Sequence, residues 1–71
     1  MNGYLSMDPN NVLALINKGI SLDGLGRFDE EYYDKALSIE PNNKNTINNK
    51  AAVLINLGKI DQAIEYYDKA L

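Results

Sequence analysis

Apolar residues recur at helical spacing in the second half of this chain. In the segment that begins at Lys44, Ile47, Ala51, Leu54 and Leu57 follow one another at steps of four, three and three. That spacing keeps them on one face of an α-helix. From Ile60 onward, Ile60, Ala63, Ile64, Tyr67, Ala70 and Leu71 form a second stripe of the i, i+3, i+4, i+7 kind, which predicts a second amphipathic helix. Gly58 lies between the two as a turn or C-cap glycine, and Asp61 stands where an N-cap or first-turn acid belongs. The run "EPNN" after Ile39 ends the preceding helix, because proline disfavours helical geometry in the residue before it. Pro41 then opens the approach to the next helix.

The same pattern occurs earlier, so the chain reads as an internal repeat. "YLSMDPNN" from Tyr4, "ALSIEPNN" from Ala36 and the terminal "KAL" from Lys69 line up. Between them run two longer copies, one from Val12 and one from Lys44, and each predicts helix, short turn, helix. The copies differ in one place. The first has "FDEEYYDKAL" from Phe28 where the second has "IDQAIEYYDKAL" from Ile60, two residues longer.

The repeated positions carry a resemblance to the tetratricopeptide repeat family, whose pattern is W-x2-L-G-x2-Y, then A-x3-F, then P. Leu15, Lys18, Gly19 and Leu22 occupy the first four marked positions of copy one, and Ile47, Lys50, Ala51 and Leu54 those of copy two. Ala63 and Tyr67 match A-x3-F, and Pro41 matches the closing proline. The departures are Leu or Ile in place of Trp, and Lys before the small residue, where a lysine stem can cover apolar surface while its amine reaches water. The resemblance implies an all-α fold of helical hairpins stacked as an α-solenoid fragment. Ala63 is the expected small partner of Ala51, with Leu54, Ile64, Tyr67 and Leu71 filling the space around them. Tyr33 and Tyr67 are expected in the core, flanked by Tyr32 and Tyr66.

Copy one lacks the pair that would match Ala63 and Ile64. Two residues turn a helix through roughly 200° at ~100° each. With the register kept backwards from "YYDKAL", Asp29 and Glu30 fall where Ala63 and Ile64 lie in copy two, and a buried unpaired carboxylate there is too costly. Three outcomes follow. The second helix starts late, with Asp29 near its N-cap and Glu30 and Glu31 in a solvated first turn, leaving Gly19 without a small partner. Or residues from about Val12 to Ile39 form one long helix, at ~1 kcal/mol for each of Gly24 and Gly26, and a second chain completes the packing. Or copy one loosens.

Composition narrows the function classes. A 71-residue chain holds one small domain with a marginal core. It contains neither Cys nor His, which excludes thiol nucleophiles, Ser–His triads and the common zinc sites. No cofactor is expected, and no enzyme. The formal charge is −3 with both signs interspersed, unlike the clustered basic face that nucleic acid needs. No apolar run approaches a membrane span of ~18 residues, and the start lacks the features of a signal peptide. The default expectation is a cytoplasmic chain with no membrane or nucleic-acid partner. Its domain organisation is expected to be residues 1–11 as the tail of a preceding repeat, 12–43 as a first repeat two residues short, and 44–71 as a second repeat without a capping helix. The whole then forms one repeat domain cut from a longer array.

By the same resemblance, the first helices of the hairpins line a groove that receives a peptide or partner segment. The peptide-binding asparagines of the family fall on Asn17 and Asn49; an amide offers a donor and an acceptor to a peptide group. The neighbouring groove positions are Leu13, Ile16, Ile20 and Asp23 in copy one, and Asn45, Asn48, Ala52 and Asn56 in copy two. Ile16, Ile20, Asn48 and Ala52 stand where a carboxylate clamp would need Lys or Arg, so acidic tails are disfavoured. The acids Asp29, Glu30 and Glu31 do not converge as a calcium loop does and read as a solvated helix start. The alternative function is a self-associating structural module, a homodimer formed by helix exchange at the short hairpin and encouraged by apolar ends.

Overall fold

The computed structural model describes residues 11–71, so the expectation for residues 1–10 lies outside what is described here. Four helices follow in order: α1 (Val12–Gly24), α2 (Glu31–Ile39), α3 (Lys44–Asn56) and α4 (Ile60–Ala70). α1 packs on α2 and α3 on α4, each as a hairpin, and α3 also lies against α2. The expected all-α repeat architecture is therefore present.

Asparagine starts both first helices. The Ala14 amide donates to Asn11 Oδ1 at 3.0 Å, and the Thr46 amide donates to Asn43 Oδ1 at 3.0 Å. Each bond satisfies one of the orphan donors at a helix N-terminus. The last residue of "EPNN" is thus the cap of α3, a role the proline had obscured. The turns end alike: Gly26 and Gly58 have φ of 77° and 81°, the left-handed geometry that glycine adopts without strain. Asp61 lies in the first turn of α4, as expected.

The short hairpin closes within the chain, with a late start to α2. Asp29 Oδ1 accepts the Glu31 amide at 2.9 Å, and α2 runs nine residues against eleven in α4. One long helix from Val12 to Ile39 does not form. The late start does not leave Gly19 facing a void. Tyr33 is 0% exposed, and its ring lies so close that a Cβ on Gly19 would sit 2.8 Å from Cε1 and Cζ. A whole aromatic ring occupies the crossing point because Gly19 has no side chain to exclude it. In the second hairpin Ala51, Leu54 and Ala63 form the expected small-on-small contact, with Tyr66 packed against it.

Three expectations about the second hairpin are corrected. Ile64, Tyr67 and Leu71 do not fill the core; Tyr67 is 38% exposed and Leu71 97%. They project from the side of α4 that no described element covers, whereas α2 has α3 beside it. The larger cluster instead sits around hairpin one and reaches α3: Leu15, Ile16, Tyr33, Ala36 and Val53, with Val12, Phe28 and Tyr32 packed against it.

Candidate functional site

The exposed side chains of α1 and α3 form the candidate site. On α1, Leu13, Asn17 and Ile20 are exposed, Ile20 by 47%. On α3, Asn45, Asn48, Ala52 and Asn56 are exposed and Asn49 is half-buried. Spacings of three and four hold each set on one side of its helix, and the two helices touch. Among the described residues, the asparagine side chains that hydrogen-bond within the chain are Asn11, Asn43 and Asn56. Among the same residues, the amides of Asn17, Asn45, Asn48 and Asn49 have no hydrogen-bond partner.

Two positions leave the set. Ile16 is 7% exposed and belongs to the core cluster with Leu15, Tyr33, Ala36 and Val53, so it cannot line an open groove. Asp23 is turned to structural use: the Tyr33 hydroxyl donates to its Oδ2 at 2.7 Å. Burial first, and then the Asp23 carboxylate, hold the Tyr33 phenol well above its usual range. The other Asp23 oxygen, Oδ1, is buried without a partner among the described residues.

Behind the α3 face lies an ion network that the sequence reading missed. Lys50 was expected to reach water. Its side chain is only 9% exposed, and its Nζ pairs with Asp34 and lies 3.7 Å from Glu30. Lys59 donates to the other Glu30 oxygen at 2.9 Å. Lys50 Nζ also sits 4.7 Å from the centre of the Tyr66 ring, within cation–π range. Burial alone would lower the Lys50 pKa, but its bonds to Asp34 and contact with Tyr66 outweigh it and raise it. Glu30 is therefore not a solvated first-turn acid. It is the junction between α2, α3 and the second turn, and two lysines neutralise it. Glu31 is the solvated one, paired with Lys35 one turn on at 3.2 Å. The signal was present in the sequence: a lysine at an inward position demands an acid, and Glu30 and Asp34 stand one helical turn apart on the helix that α3 faces.

Two helical hairpins built on one sequence unit and packed in tandem define an all-α helical-repeat protein. The chain belongs to the tetratricopeptide repeat family: two models described as tetratricopeptide repeat match residues 12–43 and 32–65. The first match covers hairpin one with its closing "EPNN"; the second begins in α2 and ends within α4. No curated protein and no solved structure shows a significant match. Repeats of this family generally mediate protein–protein interaction. No helix among the described residues is long and apolar enough to cross a membrane.

Proposed function

We propose that this chain is a non-catalytic cytoplasmic interaction scaffold that binds a peptide or partner segment along the exposed face of α1 and α3. The observation that carries the proposal is the pair Asn17 and Asn49. They occupy the same place in the two copies, two residues before the small Gly19 and Ala51, and neither amide has a hydrogen-bond partner among the described residues. Each can give and take a hydrogen bond with an extended backbone. Ile20 and Leu13 add apolar contact at one end; Asn45, Asn48 and Ala52 make the other end polar and uncharged. No lysine or arginine stands at these positions, so the face favours neutral, amide-rich or apolar segments over acidic tails.

The test is a peptide-array screen followed by titration of the best binder. Asn17→Ala and Asn49→Ala should each weaken binding about 3- to 10-fold, the loss of a backbone hydrogen bond or two. Asn17 is exposed and Asn49 half-buried, and neither has a hydrogen-bond partner among the described residues, so thermal stability should change little. Unchanged affinity for every binder in both variants rejects the assignment. The self-association alternative does not rest on helix exchange, since the first hairpin closes on itself; a different contact supports it.

A further inference from the structure

Among the described residues, two half-interfaces that match each other have no partner. Inside the chain, α3 covers α2. From α3 come Thr46, Lys50 and Val53, spaced at i, i+4 and i+7, and all are buried. From α2 come Tyr33 and Ala36, both 0% exposed, with Leu37 half-buried and Asp34 holding Lys50. The alignment that pairs Gly19 with Ala51 puts Ala14, Lys18 and Ser21 on α1 where α3 has Thr46, Lys50 and Val53. Ala14 is only partly buried, and Lys18 and Ser21 are exposed. The shared "YYDKAL" puts Tyr67, Asp68, Ala70 and Leu71 of α4 where α2 has Tyr33, Asp34, Ala36 and Leu37. Tyr67, Asp68 and Leu71 are exposed. One turn earlier Ile64 adds to the stripe, 53% exposed.

We propose that α4 of one molecule docks against α1 of a second copy, repeating between chains the contact that α3 makes with α2 within one. Charge complementarity selects this occupant. Lys18 of the incoming copy meets Asp68 as Lys50 meets Asp34. Lys18 already lies 6.0 Å from the Tyr32 ring centre, as Lys50 lies over Tyr66, so the lysine is held in the same posture. The intermolecular version is the weaker of the two. Ser21 supplies less apolar surface than Val53, and Ile64 stands where Glu30 accepts Lys50 and Lys59. It is heterologous, with a different surface on each partner, so it leaves a free α1 at one end and a free α4 at the other. Such a contact grows into open chains or closed rings and does not stop at a two-fold dimer. It also sets the α1 and α3 faces of successive copies in one row.

Sedimentation velocity of the 71-residue chain from micromolar to millimolar concentration tests this. The expected result is mass that rises with concentration past the dimer. Tyr67→Ala, at the counterpart of buried Tyr33 and with the fold intact by circular dichroism, should weaken association about tenfold or more, as for a central aromatic anchor. Ile64→Glu, which restores the acid that Glu30 offers Lys50 and Lys59 within the chain, should strengthen it. Lys18→Glu and Asp68→Lys should each weaken it, and the double variant should regain it. A variant lacking residues 1–10 should associate as well as the full chain or better. Four results overturn the proposal: a monomer throughout, association indifferent to Tyr67→Ala, no rescue by the double charge swap, or association that requires residues 1–10. The last would make that segment the occupant.

Discussion

The two hairpins solve one packing problem in opposite ways. Hairpin two uses the smallest side chains at the crossing, Ala51 against Ala63, and lets its second tyrosine, Tyr67, remain partly exposed. Hairpin one lacks the alanine. It brings the second tyrosine of the same "YYDKAL" sequence to the crossing and empties the opposite position to glycine. The summed volume is not the same in the two contacts: a tyrosine ring stands where hairpin two has a methyl, and α1 gives up its own methyl at Gly19 to admit it. The deletion in α2 and the glycine in α1 are thus one feature seen on two helices. The identical hexapeptide has two fates because its partner differs.

The largest expected break in that comparison is truncation of the tyrosine. Tyr33→Ala should cost about 3–5 kcal/mol, the range for removing a buried aromatic ring. That is a large part of the stability of a 71-residue chain, about 4–11 kcal/mol at 0.05–0.15 per residue. Tyr67→Ala should cost about 1 kcal/mol or less, because much of that ring is already in water. Urea unfolding of the two variants checks both numbers. Equal losses would mean that the two tyrosines share one environment, contrary to the burial seen here.

A sharper version concerns Gly19. Gly19→Ala gains up to ~1 kcal/mol of helix propensity but drives a methyl into a ring whose hydroxyl is anchored on Asp23. Overpacking of this kind costs about 1–3 kcal/mol, so the variant should be net destabilised by about 1 kcal/mol. Inserting Ala-Ile after Glu30 restores the longer helix of copy two and returns an alanine to the crossing. In that background Gly19→Ala should become neutral or stabilising. The double-mutant cycle should therefore show a coupling of about 1 kcal/mol or more. Additive effects would separate the glycine from the deletion.

What could be read from the sequence divides along the same line. Helix number, order and pairing were legible because two copies repeat a strong periodicity. The late start of α2 was legible as one of three outcomes, because Asp29 is a good capping residue and a poor core residue. The contact of Tyr33 with Gly19 was not. The family pattern assigns that place to a small residue on each helix, and only three-dimensional packing shows a ring filling both. The exposure of Ile64, Tyr67 and Leu71 was missed for a related reason: a stripe's spacing says that residues share a face, not that anything covers it. In the candidate site, Asn17 and Asn49 lie at accessible or half-accessible places, but Ile16 and Asp23 point into hairpin one, where the shifted α2 draws them into use. The role of Glu30 was inverted because burial was judged before its partners, Lys50 and Lys59, were known.

The last comparison is between the two counterpart lysines, and Lys18 should show the smallest effect. Lys50→Met leaves Glu30 and Asp34 without their shared amine, but Asp34 is about half exposed and Lys59 still serves Glu30. The cost should be about 1–2 kcal/mol, between that of a surface pair and a buried one. Lys18→Met, at an exposed position of α1, should stay within about 0.5 kcal/mol in the monomer. The pH dependence gives the comparison a second axis. The Lys50 pKa is raised in the folded chain above its ordinary 10.5. Its contribution is therefore complete below that value and declines as the pH rises through the folded pKa. Tyr33 acts in the same direction: its phenol is held protonated by burial and by Asp23, so unfolding becomes easier once the unfolded tyrosine ionises, above about pH 10. Stability measured by urea titration should fall from about pH 10 upward. Lys50→Met and Tyr33→Phe should each flatten that fall. A slope that survives both substitutions would place the alkaline sensitivity outside hairpin one and its contact with α3.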